Sequence, residues 1–274
     1  MSTAVKAQAK VRKAAGEGWL GSWPARFGLG VLGLLVLLGI WALLTGWLKQ
    51  TTPLAGMLGP EQTFESLYQL VTTGELTHDT LASLRRVLVS LVMALLLGVP
   101  TGIAVGVSRH LNAATSGAFQ FLRMISPLSW MPIAVMAFGI GDSPIYFLLT
   151  ITAIWPIILG TAAGVRQLDP GWMMLARSLG ANRRETLLHF IAPGILGHIL
   201  TGVRVSIGMI WILLIPCEML GVSSGLGYFI LDTRDRLAYS ELMAVIIEIG
   251  ALGLLLDAAA QWLRKRLGGT DANA

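Results

Sequence analysis

The chain has 274 residues, 54% of them hydrophobic and only 13% charged, with a formal net charge of +5. Soluble domains carry about 25% charged residues, so the composition excludes one; it also excludes disorder, which needs high charge and low hydrophobicity. A disulfide scaffold is excluded because Cys217 has no second cysteine to pair with, and six spans of ~20 residues fill the length, which makes the fold class an all-α integral membrane protein.

A basic stretch (1–26) precedes a first run of 22 uncharged residues between Arg26 and Lys49. That run is too long for the 7–15-residue apolar core of a secretory signal, so it is expected to stay as the first span. Inside it stands Gly28-Leu-Gly-Val-Leu-Gly33. A dinucleotide site needs such glycines between a strand and a helix, and here an uninterrupted apolar helix is expected. Residues 50–80 are polar, and Phe64, Leu67, Tyr68 and Val71 recur at helical spacing, which predicts a short amphipathic helix on the outer surface.

Arg86 to Arg109 encloses 22 uncharged residues, Arg123 to Asp142 encloses 18 and Asp142 to Arg166 encloses 23. Each gap suits a spanning helix of ~17–25 residues. Gly98, Gly102 and Gly106 lie four apart on one face of the second span, where small residues let helices approach closely. Pro127 and Pro132 are expected to kink or break the third span, and Trp130 between them either faces a cavity or packs. A fifth span (~197–219) and a sixth (~241–262) are interrupted or flanked by Arg204, Glu218, Glu248 and Asp257. Trp23, Trp47, Tyr228 and Trp262 stand near proposed span ends and suit interfacial belts.

With a cytoplasmic N-terminus and six crossings, the inner side holds fifteen Lys and Arg and the outer side five (Lys49, Arg85, Arg86, Arg234 and Arg236). This asymmetry puts both termini in the cytoplasm. The basic residues are scattered over several inner loops, which argues against a nucleic-acid partner.

The longest inner connection, 166–200, carries consistent local signals. Asp169 can cap a helix that Pro170 opens and Gly180 closes, about 15 Å long. Trp172, Leu175, Ala176 and Leu179 form one apolar face. Asn182 and Glu185 have capping-box spacing for a second helix, which Pro193 interrupts. The unit lacks the room of a DNA-reading helix-turn-helix; it is either a loop packed on its own spans or a helix displayed for a cytoplasmic protein.

Residues 174–193, Met-Leu-Ala-Arg-Ser-Leu-Gly-Ala through His-Phe-Ile-Ala-Pro, resemble the coupling motif of importer permeases of the ATP-binding-cassette (ABC) superfamily: Glu-Ala-Ala, three residues, Gly, nine residues, Ile-x-Leu-Pro. Ala176, Gly180 and Pro193 match in register, whereas Met174, Leu175, Phe190 and Ala192 depart from it. Pro127-Leu-Ser-Trp-Met-Pro-Ile-Ala, Phe138-Gly-Ile-Gly, Thr161 through Pro170, Glu218-Met-Leu-Gly and Gly225 through Asp232 are similar to the nitrate/sulfonate/taurine/bicarbonate branch. The likeness covers roughly residues 80–265.

That resemblance implies a six-span permease domain (27–265) with cytoplasmic tails at 1–26 and 266–274, in a bacterial inner membrane. It implies a homodimer in lipid, joined to two cytoplasmic ATPase subunits and fed by a periplasmic or lipid-anchored binding protein. The coupling residues would be Trp172, Leu175, Ala176, Arg177, Leu179, Gly180, Ala181, Arg183 and Pro193, with Arg184 adding charge. Since Met174 replaces the acidic residue, docking would rest on the apolar face and the arginines. The pathway candidates are Trp130, Pro132, Trp211, Glu218 and Met219; Glu218 acts at a gate or makes a structural hydrogen bond, and Glu248 is expected to pair structurally. The implied cargo is a small oxyanion or organosulfonate, or else a vitamin precursor or other small organic molecule.

The chain has no GxxxxGK[ST] motif, no metal-ligand spacing among His78, His110, His189 and His198, and no nucleophile–base pair. ATP hydrolysis would therefore belong to a partner, and no catalytic residue or cofactor is expected. A secondary transporter, the alternative class, would show inverted internal repeats, and none is visible.

Overall fold

A computed structural model describes residues 23–50 and 53–267, so most of the two tails (1–22 and 268–274) lies outside the described residues. The described residues form helices and connecting turns, with no strand among them. The chain divides into two compact units, Met1–Ser66 and Leu67–Ala274.

In the first unit, α1 (Trp23–Leu48) runs unbroken through Gly28, Gly30 and Gly33, as a spanning helix rather than a nucleotide loop requires. Its apolar side chains from Leu29 to Leu48 are largely exposed, which suits lipid. Near its end the Trp41 indole donates to the Leu58 carbonyl at 3.0 Å, and the ring tilts against Phe64. The expected amphipathic helix is α2 (Pro60–Thr73), which crosses the division between the units.

The second unit is built around α3 (Glu75–Val107), α6 (Asp142–Gln167) and α8 (Arg183–Gly221). α6 is the central helix, and its Ile145, Leu148, Leu149, Ala153 and Ile157 are completely buried. Close approach explains that burial. A methyl group at Gly98, Gly102 or Gly106 of α3 would meet Ile157, Thr161 or Val165 of α6 at 2.9, 2.6 and 2.6 Å. On the other side, one at Gly202 of α8 would come within 2.8 Å of the Pro156 carbonyl. The glycine stripe thus sets the spacing of the bundle. The last span is α10 (Tyr239–Leu267).

Among the described residues, five helices are long and apolar enough to cross a membrane, and a sixth crossing exists if one bent pair counts as a span. That pair is the third span, which Pro127 and Pro132 were expected to kink or break. α4 (Arg109–Met124), an amphipathic helix, is capped by the Ser108 hydroxyl on the Leu111 N–H. The chain then bends by 86° into a short 3₁₀ turn (Pro127–Trp130) and α5 (Met131–Phe138). Pro127 forces its predecessor out of helical backbone, which places the break. Pro132, by contrast, sits in the first turn of α5, where its missing N–H costs nothing.

Two further expectations change. Pro193 does not interrupt the helix after Asn182: α8 passes through a π turn (Thr186–Ile191) and continues as one 39-residue helix. The wider turn bonds the Ala192 N–H to the Leu187 carbonyl and makes room ahead of the proline ring. Residues 221–232, whose glycines suit the tight turns of an outer loop, are mostly helix, α9 (Leu226–Asp235). Gly225 makes its tight turn at φ 109, and Gly227 lets α9 lie against the Ile215 carbonyl of α8.

Candidate functional site

The inner connection folds as its capping residues dictate. Asp169 accepts from the Gly171 N–H at 2.8 Å and opens α7 (Pro170–Ser178). Gly180 closes it at φ +67, with Gly180 N–H on the Arg177 carbonyl and Ala181 N–H on the Ala176 carbonyl, each 3.0 Å. This is a Schellman closure that absorbs the end carbonyls. The following capping box is complete: Glu185 N–H to Asn182 Oδ1 at 2.9 Å, and Asn182 N–H to Glu185 Oε2 at 2.8 Å. α7 is therefore a rigid peg held at both ends.

Its surface is not the single face expected. Ala176 is turned inward and only 2% exposed, while Trp172, Leu175 and Leu179 are 54%, 45% and 68% exposed. Ala176 is buried where the peg meets its own protein, so the anchoring side and the displayed side share four positions. Met174 adds to the exposed apolar surface, Arg177, Arg183 and Arg184 are exposed around it, and Ala181 is half-buried. A soluble surface seldom leaves three large apolar side chains grouped this way without a partner.

At the opposite end, Arg86 of α3 is 1% exposed and Glu218 of α8 is fully buried. Arg86 Nη1 donates to Glu218 Oε1 at 2.6 Å and to the Ser224 carbonyl at 2.8 Å. Nη2 reaches Asp142 Oδ1 at 2.7 Å and Ser224 Oγ at 3.0 Å, and Nε reaches Asp142 Oδ1 at 3.0 Å. Arg85 also pairs with Asp142. The first three N–H groups around the start of α9 are taken by side chains from other helices. Gly225 donates to Asp79, Leu226 to Ser83 Oγ and Gly227 to Glu218 Oε2, at 2.7, 2.9 and 2.9 Å. Ser83 Oγ donates in turn to Glu218 at 2.7 Å. Carboxylates at a helix start also meet the positive end of its dipole. The knot ties α3, α6, α8 and α9 together.

Glu218 is thus enclosed in an ion pair. The other pathway candidates separate as well. Trp130 lines a cavity of about 400 Å³ together with Pro127, Thr152, Trp155, Thr201 and Met209. Pro132 is exposed on α5, Met219 is half-buried, and Trp211 is buried with its indole N–H on the Ile249 carbonyl at 3.2 Å. Glu248 accepts from Thr80 Oγ1 at 2.7 Å through one carboxylate oxygen, and its other oxygen is buried with no hydrogen-bond partner. Sequence reasoning missed the cavity walls contributed by α6 and α8, because no local spacing reveals which face two buried helices leave uncovered. It also counted Arg86 only among the outer-side charges, although Glu218 inside a span was a signal that a buried cation should exist.

A family model described as "Binding-protein-dependent transport system inner membrane component" matches residues 80–269. The bicarbonate transport system permease protein CmpB of Synechococcus elongatus is 39% identical over 246 residues, covering 86% of each chain. The nitrate import permease protein NrtB of Leptolyngbya laminosa is 34% identical over 242 residues, also 86% of each. The taurine transport system permease protein TauC of Escherichia coli is 31% identical over 255 residues, 89% of this chain and 91% of that protein. Among solved structures, an inward-facing MetNI methionine ABC transporter superposes with a TM-score of 0.57 at 18% identity, covering 68% of this chain and 92% of that one.

Proposed function

The chain belongs to the binding-protein-dependent transport system inner membrane component family, as a multi-pass permease of an ABC importer, and on that premise we propose that its cargo is a small oxyanion or organosulfonate. The observation that carries this reading is the likeness to bicarbonate, nitrate and taurine permeases, each over four fifths of the chain or more. We further propose that two copies form the pathway, that two ATPase subunits grip α7, and that a binding protein delivers the cargo from outside.

The geometry supports a mechanical route for that coupling. Closure of the ATPases on ATP would push Trp172, Leu175 and Leu179. Because α7 is capped at both ends, the push cannot be absorbed by fraying. It passes through Gly180 and the Asn182–Glu185 box into α8, a helix that spans the membrane. The π turn at Thr186–Ile191 has looser hydrogen bonding and is the place where that lever can bend.

The test is ATP-driven uptake into proteoliposomes holding the permease, its ATPase and its binding protein. Radiolabelled bicarbonate, nitrate and taurine would be offered in turn. Vanadate-sensitive uptake of at least one is expected. Uptake of none, beside uptake of a neutral vitamin precursor, would overturn the oxyanion reading, and uptake that ignores vanadate would indicate a secondary transporter.

A further inference from the structure

Three cavities in the second unit follow one another. The 400 Å³ cavity beside Trp130 shares Arg123, Trp155 and Leu159 with a second of about 200 Å³. The second shares Val105, Asn112 and Arg166 with a third of about 400 Å³, which Arg109 also lines. The chain of cavities leads towards the end that the Lys and Arg asymmetry assigns to the cytoplasm.

Their charge is one-sided. Arg123, Arg166 and Arg109 line them and no Asp or Glu does. Among the described residues, the arginines in ion pairs are Arg85, Arg86, Arg204, Arg234 and Arg236. The cavity arginines instead touch neutral amides: Arg123 Nη2 meets Gln120 Oε1 at 2.9 Å, and Arg166 Nη1 meets Asn112 Oδ1 at 3.1 Å. An amide oxygen orients a guanidinium and leaves its charge unneutralised. Trp130, Trp155 and Leu159 form apolar walls, which weaken dielectric screening and strengthen attraction for an anion. Of the two glutamates within the spans, Glu218 is neutralised by Arg86, and Glu248 lines none of the three cavities.

We propose that these linked cavities are an anion-binding vestibule in which Arg123, and then Arg166 and Arg109, hold a small oxyanion on its way to the cytoplasm. The proposal rests on the oxyanion reading above for its cargo. A succession of weak stations, each with one uncompensated guanidinium and no built cage, admits an anion without trapping it. An anionic lipid headgroup offers the same chemistry, so the source has to be part of the test.

The experiment uses the assembled transporter in vesicles. Trp130 and Trp155, two of the chain's nine tryptophans, line the first cavity, so their signal is read as the difference between the transporter and its W130F/W155F form; iodide is an anionic quencher whose access depends on local potential. Iodide quenching that competes with nitrate is expected, and R123Q should weaken it about three- to tenfold, with R166Q acting in the same direction. R123K should retain most of it, and quenching by neutral acrylamide should not change. Wild-type iodide quenching in R123Q and R166Q would overturn the vestibule. So would a ratio of wild-type to R123Q quenching that falls to one when phosphatidylglycerol is added, which would assign the site to a headgroup; the ratio cancels the lower iodide concentration at an anionic surface. Nitrate, bicarbonate and taurine uptake by the unaltered transporter separately decides the cargo. If none is moved while R123Q still loses iodide access, the cargo reading falls and the anion site stands.

Discussion

At one end of the bundle Arg86 is 1% exposed and makes five hydrogen bonds, to Glu218, Asp142 and Ser224. At the other, Arg109, Arg123 and Arg166 lie along open cavities with at most a neutral amide oxygen beside them. The same side chain therefore does opposite work. A paired guanidinium in a closed pocket has no charge left to offer a passing ion, so it serves to join helices. An unpaired one on an apolar wall contributes little to holding helices together and keeps its field. The comparison teaches that the counter-ion, more than the residue type, separates a structural charge from a working one.

The sharpest way to break that comparison is to remove one partner of the closed pair. Arg86→Gln should destabilise the permease by about 3–5 kcal/mol, because Glu218 would remain buried without its counter-charge. Glu218→Gln should cost less, since one amide oxygen at the Oε2 position still accepts from Gly227 and Ser83, and Arg86 keeps Asp142. Thermal unfolding in detergent would measure both; an R86Q protein as stable as the parent would mean that water reaches the knot.

Next in size is the glycine stripe, which tests whether the bundle between the two ends is rigid. Gly102→Ala would place a methyl group 2.6 Å from Thr161 Cβ and 2.8 Å from the Ile158 carbonyl. Backbone cannot yield as a side chain can, so a loss of about 1–3 kcal/mol is expected. Gly98→Ala meets the Ile157 methyl at 2.9 Å and should cost less. An equal cost at the two positions in thermal melts would show that α6 moves as a whole.

How much of this was legible in the sequence depended on the distance over which each signal acts. The Asp169 cap, the Gly180 closure and the Asn182–Glu185 box each involve neighbours within a turn, and each is present. The stripe of Gly98, Gly102 and Gly106 was legible as a surface, although not as a surface for α6. Arg86 and Glu218 stand 132 positions apart, and nothing local couples them. The exposed side of α7 was half legible: helical spacing grouped Ala176 with Trp172, Leu175 and Leu179, and only packing separates it from them. The cavities were the least legible part, because empty space is what three elements fail to fill.

At the inner end, Leu175→Ala and Leu179→Ala should each weaken attachment of the ATPase by about 1 kcal/mol, roughly fivefold. Both side chains are exposed, so the permease itself should melt as before. Unchanged ATPase co-purification together with unchanged uptake would remove α7 from the coupling role.

The smallest expected effect is on the cap that joins this peg to the membrane lever. Asn182→Ala deletes the oxygen that accepts the Glu185 N–H, while the Glu185 carboxylate still accepts the Asn182 N–H. Losing such a cap costs about 1 kcal/mol locally, too little to unfold α8, which has 39 residues. It lets the first turn of α8 fray, so that part of any push on α7 is spent in slack. ATPase co-purification should therefore stay at its original level while cargo imported per ATP hydrolysed falls, and Asn182→Asp, which restores an acceptor, should recover it. This separates N182A from L175A, which loses the partner first. If N182A instead lowered attachment and transport in step, the cap would be shaping the docking surface and the lever would lie elsewhere.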